Sequence, residues 1–458
     1  MPAPPPVESR GAPKRELTLL DSTSIIVGII IGVGIYEASP LIARSVTGPA
    51  ALLGVWLAGG AFALIGSLCY AELGTAYPAE GGDYVFLTRA FGRRMGFLFA
   101  WSELWVVRPG SIGAMAFVFA DYADRLYPSG WGQVVYAAGS VIALTAINIV
   151  GVTTGKWTQN VLTATKVLGL LIVVIVGFFA ASPAPLNVEP VAAAPANWGF
   201  AMILILYAYG GWNDIAYVGA EVRRPEKNIV RALLLGTAAV TAIYLLINGA
   251  FLYALGFRGT QDARAVAAQV AELGLGDWGA RAVSVLVCIS ALGAISGMVF
   301  TGARIYYALG TDHMLFAPLG VWSKRFSTPL RSLVLQGLIT LSVVIGFAQA
   351  TDSSRSGFAK MVVFGSPLFW LFLLLVGVAL FVLRRREPSR RDFFRVPGYP
   401  LTPLVFCASS LFMLYSSCKY AYDQRSIEAL WAIGLFAVGL AISCLYTKDG
   451  PRRNTGDR

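Results

Sequence analysis

"LYAYGGWNDIAY", residues 206–217, interrupts a run that is otherwise apolar enough to cross a membrane. Two adjacent glycines, an asparagine and an aspartate sit where a transmembrane helix needs unbroken backbone pairing. In hydrocarbon each unpaired amide or carbonyl costs several kcal/mol, so such a break is tolerated only where it is buried in protein or faces a watery cavity. A helix cut at that depth leaves free carbonyls at the end of its first half and free N–H groups at the start of its second. The N–H end carries partial positive charge and favours a carboxylate. The carbonyl end suits an ammonium group.

The rest of the chain supplies the setting. Of its 458 residues, 56% are hydrophobic and 13% charged, and apolar runs of about 20 residues recur from Leu17 to Tyr446. Each is long enough for a ~30 Å hydrocarbon core, which identifies an all-α, polytopic membrane protein. Residues 1–16 are polar and Pro-rich, with no cleavable signal expected. The net charge of +11 raises nucleic acid as a partner, but its distribution argues against it. Lys and Arg concentrate in alternate connections, most densely in "LRRREPSRRDFFR" (383–395). That bias predicts that both termini are cytoplasmic, in the plasma (inner) membrane. Cys69, Cys288, Cys407, Cys418 and Cys444 lie in or beside apolar runs, without a CxxC pair, and read as small buried hydrophobes.

Twelve spans are predicted, at 17–45, 49–77, 93–126, 131–152, 158–181, 198–221, 229–256, 279–310, 329–349, 358–384, 400–421 and 426–447. This divides the chain into a tail (1–16), a transport core (17–384, with halves 17–181 and 198–384), two peripheral helices (400–447) and a second tail (448–458). "GGDYVFLTRAFGRR" (81–94) reads as a short interfacial helix and "TQDARAVAAQVAELGLGDWG" (260–279) as an amphipathic helix or lid. The first span carries its own glycine break, "IIIGVGIYEASP" (29–40). The break at 206–217 falls five spans later, an odd step, so the second half enters the membrane from the opposite side, the pattern of an inverted-repeat transporter. Two breaks facing each other make a site for a zwitterion. Gly32, Gly34, Gly210 and Gly211 let backbone approach the ligand in conformations that other residues resist.

At this point the sequence resembles the L-type amino acid transporter family, within the amino acid–polyamine–organocation superfamily, over nearly its whole length. The motifs are "SLCYAELGTAYPAEGGDYVFLTRAFG" (67–92), "YAYGGWNDIAYVGAEVRRPEKNI" (207–229), "CISALGAISGMVFTGARIYYALGTDHML" (288–315) and "STPLRSLVLQG" (327–337). The resemblance implies a LeuT-type fold: 5+5 inverted repeats plus two additional helices, 12 transmembrane helices in all. It implies secondary transport of L-amino acids, neutral ones first, by alternating access and without sodium. Exchange is the leading expectation; a proton-coupled amino acid permease, or a polyamine or cationic amino acid permease, is the alternative. By position, Ile31, Gly32, Val33, Gly34 and Ile35 match the first substrate-binding break, and Tyr207, Ala208, Gly210, Gly211 and Asn213 the second. Val33 stands where the family usually has serine, so backbone amides must bind the carboxylate alone. Glu37 stands where an apolar residue is usual, and Asp214 follows Asn213. Both acids are expected near the outer vestibule, either attracting a cationic substrate or facing loops.

Ionisable residues inside a membrane span carry a functional expectation. Lys166, in "TATKVLGLL", is expected about eight residues into its span, roughly 12 Å deep. It matches a family lysine beside the first break, where sodium-driven relatives hold their ion, and is the expected coupling or inner-gate residue. Glu103 and Arg108, in "WSELWVVRPGS", are five apart and poorly spaced to pair on one α-helical face, so each is expected to serve a neighbouring helix. Glu72, Glu221, Arg223 and Arg224 are expected to form cytoplasmic ion pairs or solvated loop charges, and "RRPEKN" a helix stop followed by a turn. An enzyme would need a clustered nucleophile, acid–base pair or metal site. The lone His313 and scattered cysteines supply none, so neither metal nor cofactor is expected. A channel would need a continuous polar lining, which the spans lack. The loop 121–133 has no cysteine, where animal relatives bond a heavy chain, so no disulfide-linked partner is expected. The expected partners are an amino acid substrate and membrane lipid.

Overall fold

The computed structural model describes residues 14–446 except 129, 131, 180–197, 264, 350–356, 388–392 and 424. The tail 448–458 and most of the tail 1–16 lie outside the described residues. No strand longer than an isolated bridge occurs among those described. The helices are α1 (Leu19–Ile30), α2 (Gly34–Ser45), α3 (Pro49–Ala76), α4 (Asp83–Phe91), α5 (Arg93–Ser102), α6 (Arg108–Leu126), α7 (Gln133–Val150) and α8 (Val152–Phe179). They continue with α9 (Trp198–Ala208), α10 (Pro225–Asp262), α11 (Val266–Leu275), α12 (Asp277–Asp312), α13 (Leu330–Gln349), α14 (Gly357–Arg386), α15 (Leu401–Asp423) and α16 (Ile427–Tyr446).

Among the described residues, ten helical stretches are long and apolar enough to span a membrane, and the bent pair α1–α2 makes eleven. A twelfth is reached only by taking α9 and the tight 3₁₀ turns Trp212–Tyr217 and Gly219–Glu221 as one interrupted span. The expected helices at 81–94 and 260–279 form as α4 and α11.

Burial separates a core from a rim. The apolar windows of Arg93–Leu126 and α12 are 83% and 78% inside the protein, whereas those of α15 and α16 are 28% inside. A helix apolar all round that leaves most of that surface uncovered fits lipid contact. Small residues set the closest approaches. A side-chain carbon at Gly59 of α3 would meet Ile205 of α9 at 2.0 Å, and one at Gly60 would meet Thr241 of α10 at 2.4 Å.

α1 starts on a capping box. The Asp21 amide donates to the Thr18 hydroxyl (3.3 Å) while the Thr18 amide donates to the Asp21 carboxylate (2.9 Å). One face of α8 then holds α1 along its length. Lys156 lies 3.6 Å from Asp21, Asn160 donates to Asp21 (2.7 Å), Thr163 donates to the Ser24 carbonyl (3.0 Å), and Lys166 reaches the end of α1. Steps of three or four residues keep these side chains on one stripe.

The face at which the chain begins, called proximal here, is closed by backbone and charge. The Leu17 amide donates to the Glu221 carbonyl (2.9 Å), and the Arg223 amide to the Leu17 carbonyl (2.8 Å). The expected gate pairs are re-partnered. Glu221 takes Arg304 of α12, Nε at 2.6 Å and Nη2 at 3.2 Å, with both side chains 1% exposed. Glu72 is taken by Arg384 of α14 (2.5 Å) and by the Val396 amide (2.6 Å). Arg223 instead donates to the Arg15 carbonyl. The 3₁₀ turn Gly219–Glu221 ends just before "RRPEKN", but Arg224 adopts a left-handed conformation and Pro225 then opens α10, so the stop is followed by a helix and not by a turn. Proline suits a first helical position, where no amide partner is needed.

Removing one member of a buried pair leaves an uncompensated charge, costing about 3–5 kcal/mol. Arg304→Met or Glu221→Gln alone should therefore weaken resistance to SDS unfolding by that order. The double change Arg304→Met with Glu221→Leu should recover most of the loss. Single variants as stable as the parent would show that the pair is dispensable.

Candidate functional site

Both glycine stretches are breaks, and they touch. Residues 31–33 are non-helical and the axes of α1 and α2 differ by 47°. α9 stops at Ala208, and Gly211, at φ +108°, turns the chain into the tight helix Trp212–Tyr217. A side-chain carbon at Gly211 would lie 2.5 Å from Ile29, and one at Gly34 would lie 3.1 Å from Ala208. Only glycine combines that φ with that closeness.

The two ends of the first break are treated differently. At the carbonyl end of α1, Lys166 donates to Gly28 and Ile31 (2.8 Å each) and to Ser290 of α12 (3.0 Å). The Tyr244 hydroxyl sits between the Ile30 carbonyl (3.1 Å) and the Ala208 carbonyl (3.2 Å), bridging the breaks with one proton. The carbonyls expected to receive an ammonium at α1 are thus largely taken. At the other end, α2 begins with bonds from the Tyr36 and Glu37 amides to the Val33 carbonyl. The amides of Val33, Gly34 and Ile35 precede its first turn, as at any helix start.

A cavity of about 140 Å³ opens between the breaks. Of the expected residues, Gly32, Val33, Gly34, Tyr207, Ala208, Gly210, Gly211 and Asn213 line it. Ile31 and Ile35 do not: both are fully buried in the surrounding packing. Lys166 is fully buried behind the wall and reaches the site only through the end of α1. α8 begins at Val152, so Lys166 stands fourteen residues into it, roughly 21 Å along the helix.

The larger correction concerns charge. Glu103 and Arg108 do pair, Nε to Oε2 at 3.2 Å, and both line the cavity. Residues Glu103–Val107 form a π-helical turn in which the Arg108 amide donates to the Glu103 carbonyl. That wider turn brings residues five apart onto one face. Pro109 follows directly and lacks the amide that an α-turn would use. The motif E-x-x-x-x-R-P was the available signal. Asp214 was expected near the outer vestibule, but it lies past the second break on its proximal side and lines the same cavity. Its Oδ2 accepts from Arg108 Nη1 (2.7 Å) and from the Thr301 hydroxyl (2.6 Å). Arg108 also stacks over the Tyr217 ring at 5.3 Å. One guanidinium therefore stands between two carboxylates at the cavity wall. Glu37 takes no part; it accepts from the Tyr122 hydroxyl (2.8 Å).

This arrangement, backbone dipoles of both signs beside a closed charge cluster, suits a small zwitterion. Comparison with known proteins agrees. The amino acid permease family model matches residues 17–441. The chain is 30% identical to the serine/threonine exchanger SteT of Bacillus subtilis over 411 residues, 88% of this chain and 91% of that one. It is 30% identical to the mouse b(0,+)-type amino acid transporter 1 over 446 residues, 94% and 88% of the two chains. It is also 30% identical to the mouse Asc-type amino acid transporter 1 over 447 residues, 94% and 82% of the two chains. Apolar helices around two touching breaks, and a family match over nearly the full length, lead to one conclusion: the chain belongs to the amino acid permease family and is a multi-pass membrane transporter of amino acids, not an enzyme.

Proposed function

We propose that this transporter is a sodium-independent exchanger of neutral L-amino acids, working by alternating access in the plasma membrane with both termini in the cytoplasm. The observation that carries the reading is the Lys166 Nζ seated on the Gly28 and Ile31 carbonyls, where it serves as a fixed cation. A fixed cation there fills the place a bound metal ion would take at the end of α1. The substrate carboxylate then meets the amides of Val33, Gly34 and Ile35, and its ammonium meets the carbonyl end of α9. Arg108 is spent on Glu103 and Asp214, which disfavours an anionic side chain. Similarity to the serine/threonine exchanger SteT makes serine and threonine the first substrates to try. The loop 121–133 carries no cysteine, which supports a stand-alone chain.

The proximal lock, with Leu17 on Glu221 and Glu221 on Arg304, is the inner gate, and it is closed in this conformation. The Tyr207 region is the outer gate. Opening the inner gate must move α1, which Lys166 ties to α8 and α12.

A thermal-shift screen of the twenty amino acids tests the substrate. A ligand present at about a hundred times its Kd stabilises by about 2.7 kcal/mol, so one or a few neutral amino acids should raise the melting point. No response to any would remove the reading. Lys166→Ala should cripple counterflow of labelled serine in proteoliposomes while leaving a thermal shift with substrate; an unchanged exchange rate would remove its role. Gly211→Ala should abolish both, because the residue is held at φ +108° with Ile29 in the way. Replacing sodium by choline should leave uptake unaltered.

A further inference from the structure

Asp83 is a buried acid that the transport reading leaves unused. It opens α4, at the end of the link that joins α3 to α4. That link is fastened to the proximal half of the second broken span. The Gly81 amide donates to the Tyr217 carbonyl (3.0 Å), and Glu80 bridges to Val218. Gly82, at φ +38°, lies so near Ala216 that a side-chain carbon would meet its carbonyl at 2.7 Å. The Asp83 side chain is therefore closed in on the cavity's proximal side, with the residue 2% exposed.

Its two oxygens are unequal. Oδ2 accepts from the Tyr217 hydroxyl (2.9 Å), and that hydroxyl accepts from Asn213 Nδ2 (3.1 Å). Asn213 and Tyr217 both line the cavity, so a hydrogen-bonded chain runs from the site to Asp83. Oδ1 is buried facing the Tyr70 hydroxyl of α3, but the two make no well-aligned hydrogen bond. An ionised carboxylate with one oxygen dry and unpaired is costly; the neutral acid is not. An acid in the first turn of a helix ordinarily serves as an ionised partner of the helix dipole, for about 0.3–1 kcal/mol. Here burial outweighs that. It pushes the carboxyl up to about 8, against the Tyr70 and Tyr217 hydroxyls, which favour the anion, and together with Glu103 and Asp214, which repel it.

We propose that Asp83 is the proton-binding residue of the transport cycle: it holds a proton while the proximal face is closed, and yields it to water when the α3–α4 link parts from Trp212–Tyr217. The inference rests on the transport reading above. The proton leaves the carboxyl for solvent and returns on closure, so no other reactant is needed. The sign follows from linkage. In the open form the carboxyl is wetted and returns toward its ordinary value near 3.9. The closed form binds the proton more tightly, so acid favours closure. That preference is lost as pH rises through the closed-state value. Between about pH 4 and about pH 8 each unit changes the closed-to-open ratio by up to tenfold.

Two measurements on the full chain test this. Infrared pH-difference spectra of the purified protein should show a protonated carboxyl band that disappears between about pH 7 and about pH 9 and is missing in Asp83→Asn. Absence of that band in the parent, or its persistence in the variant, overturns the proposal whether or not transport is seen. Counterflow of labelled serine in proteoliposomes, with equal pH inside and outside, should rise several-fold from about pH 6 to about pH 8. Asp83→Asn should flatten the profile and Asp83→Glu keep it. Tyr217→Phe, which removes a donor to the anion, should move the midpoint to higher pH. Glu80 is the rival: it is half-buried in the same link, with Oε1 unpartnered, and desolvation raises it to about 7. If Glu80→Gln flattens the profile while Asp83→Asn does not, the assignment is wrong. If the parent moves no amino acid at any pH, the transport reading fails, and the infrared band still decides the proton site.

Discussion

The structure depends on backbone dipoles that are left unpaired inside the protein and then divided between protein and ligand. Two spans stop at mid-depth, and their ends approach to contact through Gly34 on Ala208 and Gly211 on Ile29. Exposed backbone at that depth costs several kcal/mol per group. The chain settles part of the debt itself. Lys166 covers the carbonyl end of α1, and Tyr244 covers one carbonyl from each break. The amide end of α2 has no such cover, and it is the end that prefers an anion.

Charge is handled in the same manner around this centre. Arg108 is enclosed by Glu103 and Asp214, and Arg304 by Glu221, all nearly removed from solvent. Such pairs are weak sources of net stability, because desolvation consumes most of the attraction. Their effect is on alternatives: a segment carrying one partner cannot leave without stranding the other. The proximal ends of α1, α12 and the second break are therefore tied into one unit, with α8 holding α1 along a stripe from Lys156 to Lys166. A conformational change has to move them together or exchange one set of partners for another.

The α3–α4 link belongs to this unit. Its backbone bonds to Tyr217 and Val218 make it part of the wall below the cavity, although its residues lie outside every span. Glu80 in the link and Asp83 at the start of α4 are consequently acids outside the spans that behave as buried groups. Position along the chain does not reveal that; only the packing of the link against Trp212–Tyr217 does.

Periodic apolar runs dictated a helical membrane protein, because hydrocarbon admits no other open-backbone solution at this length. The two glycine stretches dictated where that rule had to be broken, and eight of the ten expected binding residues line the cavity. Ile31 and Ile35 are fully buried in the surrounding packing, so what they can offer the site is backbone, not side chain. The pairing of Glu103 with Arg108 was hidden by assuming an α-turn where the chain makes a π-turn. Asp214 and Glu221 found their partners, Arg108 and Arg304, on other helices more than eighty residues away. Side-chain spacing is local information and predicts contacts within one helix. Which charge answers which across the bundle is settled by how the helices pack, and that is where the character of this site lies.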